Sequence, residues 1–197
     1  MLGSSSKTLL KSINEYLPTE QAGAVKDALD YAIKVHDGQK RDSGEPFVEH
    51  PIATALRLAD MRLDTTTIQA ALLHDVIEDC GINFQQIEAK FGTDVAKLVD
   101  GVTKLKRLDQ LPENSAMIRQ ITSSETTRAA SLRKMLVAMA EDVRVVLIKL
   151  SDRLHNMQTL QYLPAPRRQR ISRETLDIYS PLAHRLGMSE LKWQLED

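Results

Sequence analysis

Apolar residues recur at helical spacing along most of the chain, and this spacing constrains the fold more than any other feature. Val25, Ala28, Leu29 and Ala32 share one helical face, and so do Ile52, Ala55, Leu56 and Ala59. Gly38 ends the first of these helices, and GQKRDSGEP behind it reads as a loop. Pro51 suits a first helical position. Asp64 or Thr65 caps a helix that carries Ile68, Ala71, Leu72 and Val76 and runs to about Gly81. Asn83 starts a short helix closed by Gly92. Thr93 caps another, with Val95, Leu98, Val99, Val102 and Leu105 on its buried side. Residues 108–126 are Ser/Thr-rich and weakly periodic, which predicts a long loop. Helical spacing resumes at Leu132, Met135, Leu136 and Met139. VRVVLI has strand propensity. Its apolar spacing nevertheless continues through Leu150, Leu154 and Met157, and no partner strand is available, so a helix is expected. Pro164 and Pro166 mark a break. The last section, with Ile171, Leu176 and Ile178, pauses at Pro181 and Gly187 and restarts at Ser189. The expected fold class is all-α. Only 8 Gly and 7 Pro in 197 residues agree with long helices rather than a turn-rich β fold.

The charge balance excludes some functions. With 26 Lys+Arg against 27 Asp+Glu, the net charge of -1 gives no basis for a broad nucleic-acid binder. Aromatic residues are 4%, so the core must be aliphatic, and a ring platform for stacking bases is not expected. One cysteine, Cys80, rules out an internal disulfide and a Cys-rich zinc site; it is expected to be a small packed residue. No apolar run approaches the roughly 20 residues a membrane span needs. The N-terminus lacks a secretory pattern, so a cytoplasmic placement is expected. The chain stops at LKWQLED without a capping glycine or polar tail, which reads as a cut inside a longer protein.

Chemistry concentrates where charge intrudes on apolar helix. In LLHDVIED, a helical turn of about 100° per residue places His74 and Glu78 on one face and Asp75 beside Glu78. Asp75, Glu78 and Asp79 repel one another, and a divalent cation would relieve that repulsion. The competing reading is a solvated acidic face with a structural His74. His50 stands just before an expected helix start, where it either aims into a cleft or merely neighbours a cap. Asp152 lies inside the most apolar stretch, with Asn156 one turn on. It is either a ligand or a salt-bridge partner of Lys149 or Arg153. Together, His50, His74, Asp75 and Asp152 offer two imidazoles and two carboxylates. Such a set suits Mn, Fe or Zn and leaves coordination positions open for water. Glu78 is expected to orient that water or accept its proton, with Asp79 assisting. Arg153, Lys149 and Lys134 are candidate phosphate partners, whereas His36, His155 and His184 are expected to be structural.

The order H…HD…D on a helical chain resembles the HD-domain metal phosphohydrolases. RDSGEPFVEHP, ALLHDVIEDC, LVDGVTKL, LRKMLVAMAEDVRVVLIKLSDRLHNMQTL and ETLDIYSPLAHRLGMSELKWQLED resemble, more narrowly, the hydrolase half of the RelA/SpoT homologues, from about Tyr31 to Asp197. That resemblance implies an HD-domain helical bundle over residues 1–180. It makes 181–197 the start of a helical linker towards a synthetase domain, with regulatory domains beyond. It implies manganese held by His50, His74, Asp75 and Asp152, and a Glu78–Asp79 pair needed for hydrolysis. Arg41 would lie against a guanine base, and Ser43, Asn156 and Thr159 would fall in nucleotide-contacting motifs. The implied reaction removes the 3′-pyrophosphate of the alarmone ppGpp or pppGpp in the stringent response. The implied partner is this small nucleotide, with no nucleic acid and no membrane.

Three departures from the family's motifs bear on substrate affinity. Asp42 replaces a lysine in RKSGEP, Gln158 replaces an arginine in HNMRTL, and Ser131 replaces an asparagine in ENxRKM. Two other readings remain open. One is an HD phosphohydrolase acting on other nucleotides. The other is a regulatory domain that binds nucleotide without turnover, against which the retained Glu78–Asp79 pair argues.

Overall fold

The computed structural model describes residues 3–109, 137 and 141–197, without the side chains of 107–109. Among the described residues the chain is helical and has no strand; its only β-type pairing is an isolated bridge between Lys40 and Pro46. The expected loop beyond Asp109, the periodic positions Leu132 to Met139, and with them Ser131 and Lys134, lie outside the described residues.

The helices follow the apolar spacing. Helices α1 (Ser4–Asn14) and α2 (Thr19–Val35) bury Leu9, Ile13, Val25, Ala28, Leu29 and Ala32. Helix α3 (Glu49–Asp60) starts two residues before Pro51. The proline is its third residue, where its missing N–H would have had no intrahelical partner. The Asp64 side chain accepts from the Thr67 N–H at 3.0 Å and starts α4 (Thr65–Leu73). Asn83 and Gln86 form a capping box on α6 (Phe84–Phe91). Helix α7 (Thr93–Asp109) begins at Thr93, which is therefore its first residue and not its cap; the helix takes in Leu108 and Asp109, expected in the loop. VRVVLI is helical, in α8 (Val143–Gln158). Asp142 caps it by accepting from the Arg144 N–H at 2.9 Å, which commits a β-branched run to helix at its first turn.

Two further expectations fail for physical reasons. The helix expected to run unbroken from residue 65 to Gly81 stops at Leu73 and restarts as a single turn, α5 (Val76–Asp79). Pro181 does not interrupt the chain either. A wide π turn over Thr175–Tyr179 joins α9 (Ala165–Glu174) to α10 (Ser180–Arg185) and makes room for the proline ring, the Ser180 N–H reaching back to the Thr175 carbonyl. Gly187 then ends α10, and α11 (Ser189–Glu196) follows.

Helix α3 packs against α1, α4 and α8, and α7 packs against α4 and α8, so the core lies between α3, α4 and α8. Leu182, Ala183, Leu191 and Leu195 of the last helices are buried in the same core. Helices α7 and α8 cross at Gly101, where an added Cβ would sit 2.8 Å from Val145 Cγ2. Alanine there gains about 1 kcal/mol of helix propensity. Val145 is stiff at χ1 and cannot swing away, and overpacking costs about 1–3 kcal/mol. Gly101→Ala should therefore lower the urea unfolding midpoint, and Gly101→Ala/Val145→Ala should recover most of it. A single variant more stable than the wild type would contradict this crossing.

Candidate metal centre

The interruption between α4 and α5 builds the site. In an unbroken helix His74 and Asp75 would diverge by about 100°. Here the Asp75 carbonyl accepts from the Glu78 and Asp79 N–H groups, and both side chains at the break turn inward. His74 Nε2 lies 3.3 Å from Asp75 Oδ2. His74 Nδ1 donates to the Ala71 carbonyl at 2.7 Å, which leaves the Nε2 lone pair pointing into the site. That buried nitrogen has no hydrogen-bond partner among the described residues.

His50, on the first turn of α3, completes the imidazole pair. Its Nε2 lies 3.2 Å from Asp152 Oδ1 and 3.5 Å from Asp75 Oδ2. Ligand atoms of His50, His74 and Asp152 all fall within 4.8 Å of one another, and all three residues are buried. Asp75, also buried, is in contact with both imidazoles. Of the four residues expected from the sequence, His50, His74 and Asp152 come together, and Asp75 adjoins both imidazoles. An unpartnered Nε2 facing two carboxylate oxygens and a second imidazole fits a divalent cation with mixed nitrogen and oxygen donors.

Each carboxylate is braced by a lysine on the oxygen away from the imidazoles, and Asp152 also by Asn156 on the oxygen that faces His50. Lys149 Nζ donates to Asp152 Oδ2 at 3.0 Å, and Asn156 Nδ2 donates to Asp152 Oδ1 at 2.6 Å. The salt bridge weighed against the ligand role is present, then, but takes the other oxygen. Arg153 bridges Glu174 at 3.1 Å and lies 4.0 Å over the Tyr179 ring. Lys106 Nζ lies 2.9 Å from Asp75 Oδ1, 2.6 Å from Glu78 Oε2 and 3.8 Å from Asp79 Oδ2. Lys106 is not among the residues expected from the sequence. Its signal was spacing: Val99, Val102 and Lys106 form one stripe, so a lysine extends the buried face of α7.

These contacts set the ionisation of the site. Burial alone would raise the Asp75 carboxyl, but His74, His50 and Lys106 outweigh it and hold it well below the usual range. Burial is likewise outweighed at Asp152, chiefly by Lys149 and His50. Burial lowers the His50 imidazole against the pull of both carboxylates. The Asp79 carboxyl is pushed up by burial and by the charge of Asp75. His155, set aside as structural, has its Nδ1 2.8 Å from His50 Nδ1. Burial, His50 and Arg41 lower its pKa to about 3, so it stays neutral and can accept the His50 Nδ1 proton, leaving His50 Nε2 as a donor atom.

A cavity of about 430 Å³ opens over these groups. The buried His50, Asp75 and Asp152 form its inner end with Lys106, and Asp79, Arg41, Ser43, Asn156 and Thr159, all less buried than the first three, line it farther out. His74 and Glu78 do not line it. Arg41 Nη2 donates to Asn156 Oδ1 at 2.9 Å and lies 3.5 Å from Thr159 Oγ1, while Ser43 Oγ donates to Glu45 at 3.1 Å. Asp42 pairs with Arg167 at 3.5 Å, and Gln158 is exposed. His36 stacks on Phe47 with centroids 4.9 Å apart, and Cys80 Sγ lies 3.3 Å from His36 Nδ1, so both are packed. A second cavity, of about 710 Å³ beside Tyr31, Lys90 and Phe91, contains no cluster of imidazoles and carboxylates. No helix among the described residues is long and apolar enough to cross a membrane.

A family model described as HD domain matches residues 28–189. The chain is 47% identical, over 97% of its length, to the bifunctional (p)ppGpp synthase/hydrolase SpoT of Escherichia coli (strain K12), of which it covers 26%. It is 48% identical, over 93% of its length, to a guanosine-3′,5′-bis(diphosphate) 3′-pyrophosphohydrolase of Vibrio cholerae, covering 24% of that protein. It is 44% identical, over 96% of its length, to the GTP pyrophosphokinase rsh of Brucella abortus (strain 2308), again covering 24%. The chain thus spans about a quarter of the length of the curated relatives it matches. Among solved structures, a metazoan SpoT orthologue described as hydrolysing ppGpp and acting in starvation responses superposes with a TM-score of 0.65. It is 25% identical, and the match covers 91% of this chain and 94% of that one.

The neutral His155 makes stability depend on pH. Its folded pKa of about 3 lies below the unfolded value near 6.5, so the stability it contributes is complete above about pH 6.5 and falls as pH is lowered towards 3. Asp75 and Asp152, with lowered folded values, lose stability only below about pH 4. In EDTA, the urea midpoint should fall between pH 7 and pH 5, and His155→Gln should flatten that fall. An equal fall in both proteins would remove His155 from this role.

Proposed function

Because this chain belongs to the HD-domain family, we propose that it is a manganese-dependent cytoplasmic phosphohydrolase that removes the 3′-pyrophosphate of ppGpp or pppGpp. The products are GDP or GTP and pyrophosphate, and the reaction serves the stringent response. On this reading, synthetase and regulatory domains belong to the full-length protein. The observation that carries the proposal is the unpartnered His74 Nε2, buried against Asp75 beneath a cavity whose outer end holds the Arg41–Asn156 pair. The names of the SpoT and 3′-pyrophosphohydrolase relatives support the choice of substrate.

His50, His74, Asp75 and Asp152 would hold the ion. Bound there, it would supply a water of lowered pKa and neutralise phosphate charge. The remaining steps fall to this chain's own residues. Asp79 lines the cavity, and its raised pKa suits it to take the proton of the attacking water. Glu78 keeps Lys106 in place, and the Lys106 ammonium faces the charge that develops on the pyrophosphate. The water oxygen joins the 3′-phosphorus, the bond to O3′ breaks, and O3′ leaves as the ribose hydroxyl with the proton that Asp79 took from the water. Arg41, Ser43, Asn156 and Thr159 bind the nucleoside end, with Arg41 presenting a planar guanidinium to the base.

With ppGpp and manganese, the protein should release GDP and pyrophosphate. EDTA should abolish turnover, and added manganese should restore it. Loss of the proton acceptor in Asp79→Ala should lower kcat by about 10²-fold or more, and Glu78→Ala should also reduce it. Release of single phosphates or of triphosphate would point to a different HD phosphohydrolase. Tight ppGpp binding with no turnover by the wild type would make the chain a binding module.

A further inference from the structure

We propose that the ring of Tyr162 is a stacking platform for the substrate's nucleobase and therefore helps to determine specificity; this rests on the hydrolase reading above. Tyr162 is 52% exposed, and of the large apolar side chains left in solvent among the described residues it is the one that lines the 430 Å³ cavity. An aromatic ring left half in water at a concave surface is unusual in a chain with so few rings. A ligand with an apolar face would cover it.

The ring has a fixed seat. Thr159 closes α8, its hydroxyl donating to the His155 carbonyl at 3.1 Å. A 3₁₀ turn over Leu160–Tyr162 follows, held by hydrogen bonds from the Tyr162 N–H to the Thr159 carbonyl at 3.3 Å and from the Leu163 N–H to the Leu160 carbonyl at 3.0 Å. Such a turn rotates about 120° per residue. Leu160 therefore anchors in the protein while Tyr162 points outward. Pro164 then starts α9 without slack.

The chemistry of the cavity assigns the ring to a base. Its inner end holds the His50 imidazole, the Asp75 and Asp152 carboxylates and the Lys106 ammonium, which suit an ion and phosphates. The rest of its lining holds the Arg41 guanidinium, the Asn156 amide, the Tyr162 ring, Leu163 and Ile171, together with Lys40 and two arginines already engaged by carboxylates, Arg167 by Asp42 and Arg153 by Glu174. A polyphosphate gains nothing from a ring and two aliphatic side chains, whereas a purine presents one π face to the ring, the other to the Arg41 guanidinium, and a polar edge to the Asn156 amide. Phe47 also lines the cavity but is already engaged, stacked on His36 and edge-on to His50. A tyrosine has few torsions to freeze, so ordering it on binding costs little.

The test is a split between binding and chemistry. In Tyr162→Ala, KM for ppGpp should rise on the order of ten-fold or more while kcat stays within about two-fold, because a stacked base is remote from the reacting phosphorus. Tyr162→Phe should behave like the wild type. GDP, which carries the base, should inhibit Tyr162→Ala less by the same factor, and pyrophosphate, which reaches only the inner end, should inhibit it equally. An unchanged KM and GDP inhibition in Tyr162→Ala would overturn the platform. So would a Tyr162→Phe as weak as Tyr162→Ala, or a parallel loss of pyrophosphate inhibition. GDP binding measured by calorimetry on the wild type and Tyr162→Ala needs no turnover. If the wild type binds GDP but does not hydrolyse ppGpp, the hydrolase reading fails while the platform is still judged by the difference between the two proteins.

Discussion

Two buried carboxylates, Asp75 and Asp152, govern the structure around the cavity. An unpaired charge in a helical core costs several kcal/mol, so a chain that keeps two of them must neutralise each locally. Here the answer is the same twice. One oxygen of each carboxylate takes a lysine, Lys106 or Lys149, and the other faces imidazole nitrogen. Braced in this way, the carboxylates hold their charge without an ion and present their inner oxygens to one point. A site organised before its ligand arrives loses little of the binding free energy to rearrangement.

The helices supply the rigidity that this arrangement needs. Asp152 and Asn156 sit one turn apart on α8, so their mutual hydrogen bond is set by helix geometry. Asn156 in turn holds Arg41, which reaches across from the loop before α3. One line of contacts thus runs from the metal end of the cavity to its outer end, through groups that all have partners. His155, on the same helix, fixes His50 from behind. The long apolar stretch of α8 does more than fill the core, since it spaces the polar groups that tie the two ends together.

Much of this was legible in the sequence, for identifiable reasons. Charge inside an apolar stretch is costly enough to need a purpose, and that reasoning picked out Asp152 and the His74–Asp75 pair. Caps at Asp64 and Asn83 were readable because they depend on local hydrogen bonds. The break at His74–Asp75 was not readable, because the residues on both sides continue the apolar run and the break is stabilised by tertiary contacts to α3 and α7. The π turn before Pro181 was missed because proline was taken as a stop, while a wider turn removes its clash. Lys106 was overlooked because a lysine is assumed to face solvent unless its stripe is counted. Tyr162 was overlooked because the scarcity of rings obscured where one of them stands.

The acidic residue at position 42 shows why a motif should be judged in its surroundings. Where the related motif has a lysine, this chain has Asp42, and on sequence alone that weakens the cavity's attraction for phosphate. In the fold, the Arg167 guanidinium lies 3.5 Å from Asp42, and both line the cavity. Both side chains are largely exposed, so the pair adds little stability. Its consequence is electrostatic: the arginine cancels the charge at Asp42, and the cavity mouth is close to neutral at this point rather than repulsive. Gln158, the other described departure, is exposed and does not line the cavity. The other cations of the lining are Lys40, Arg41, Lys106 and Arg153; of these, Lys106 is tied to Asp75, Glu78 and Asp79 and Arg153 to Glu174, so each of those two charges is already offset where it stands.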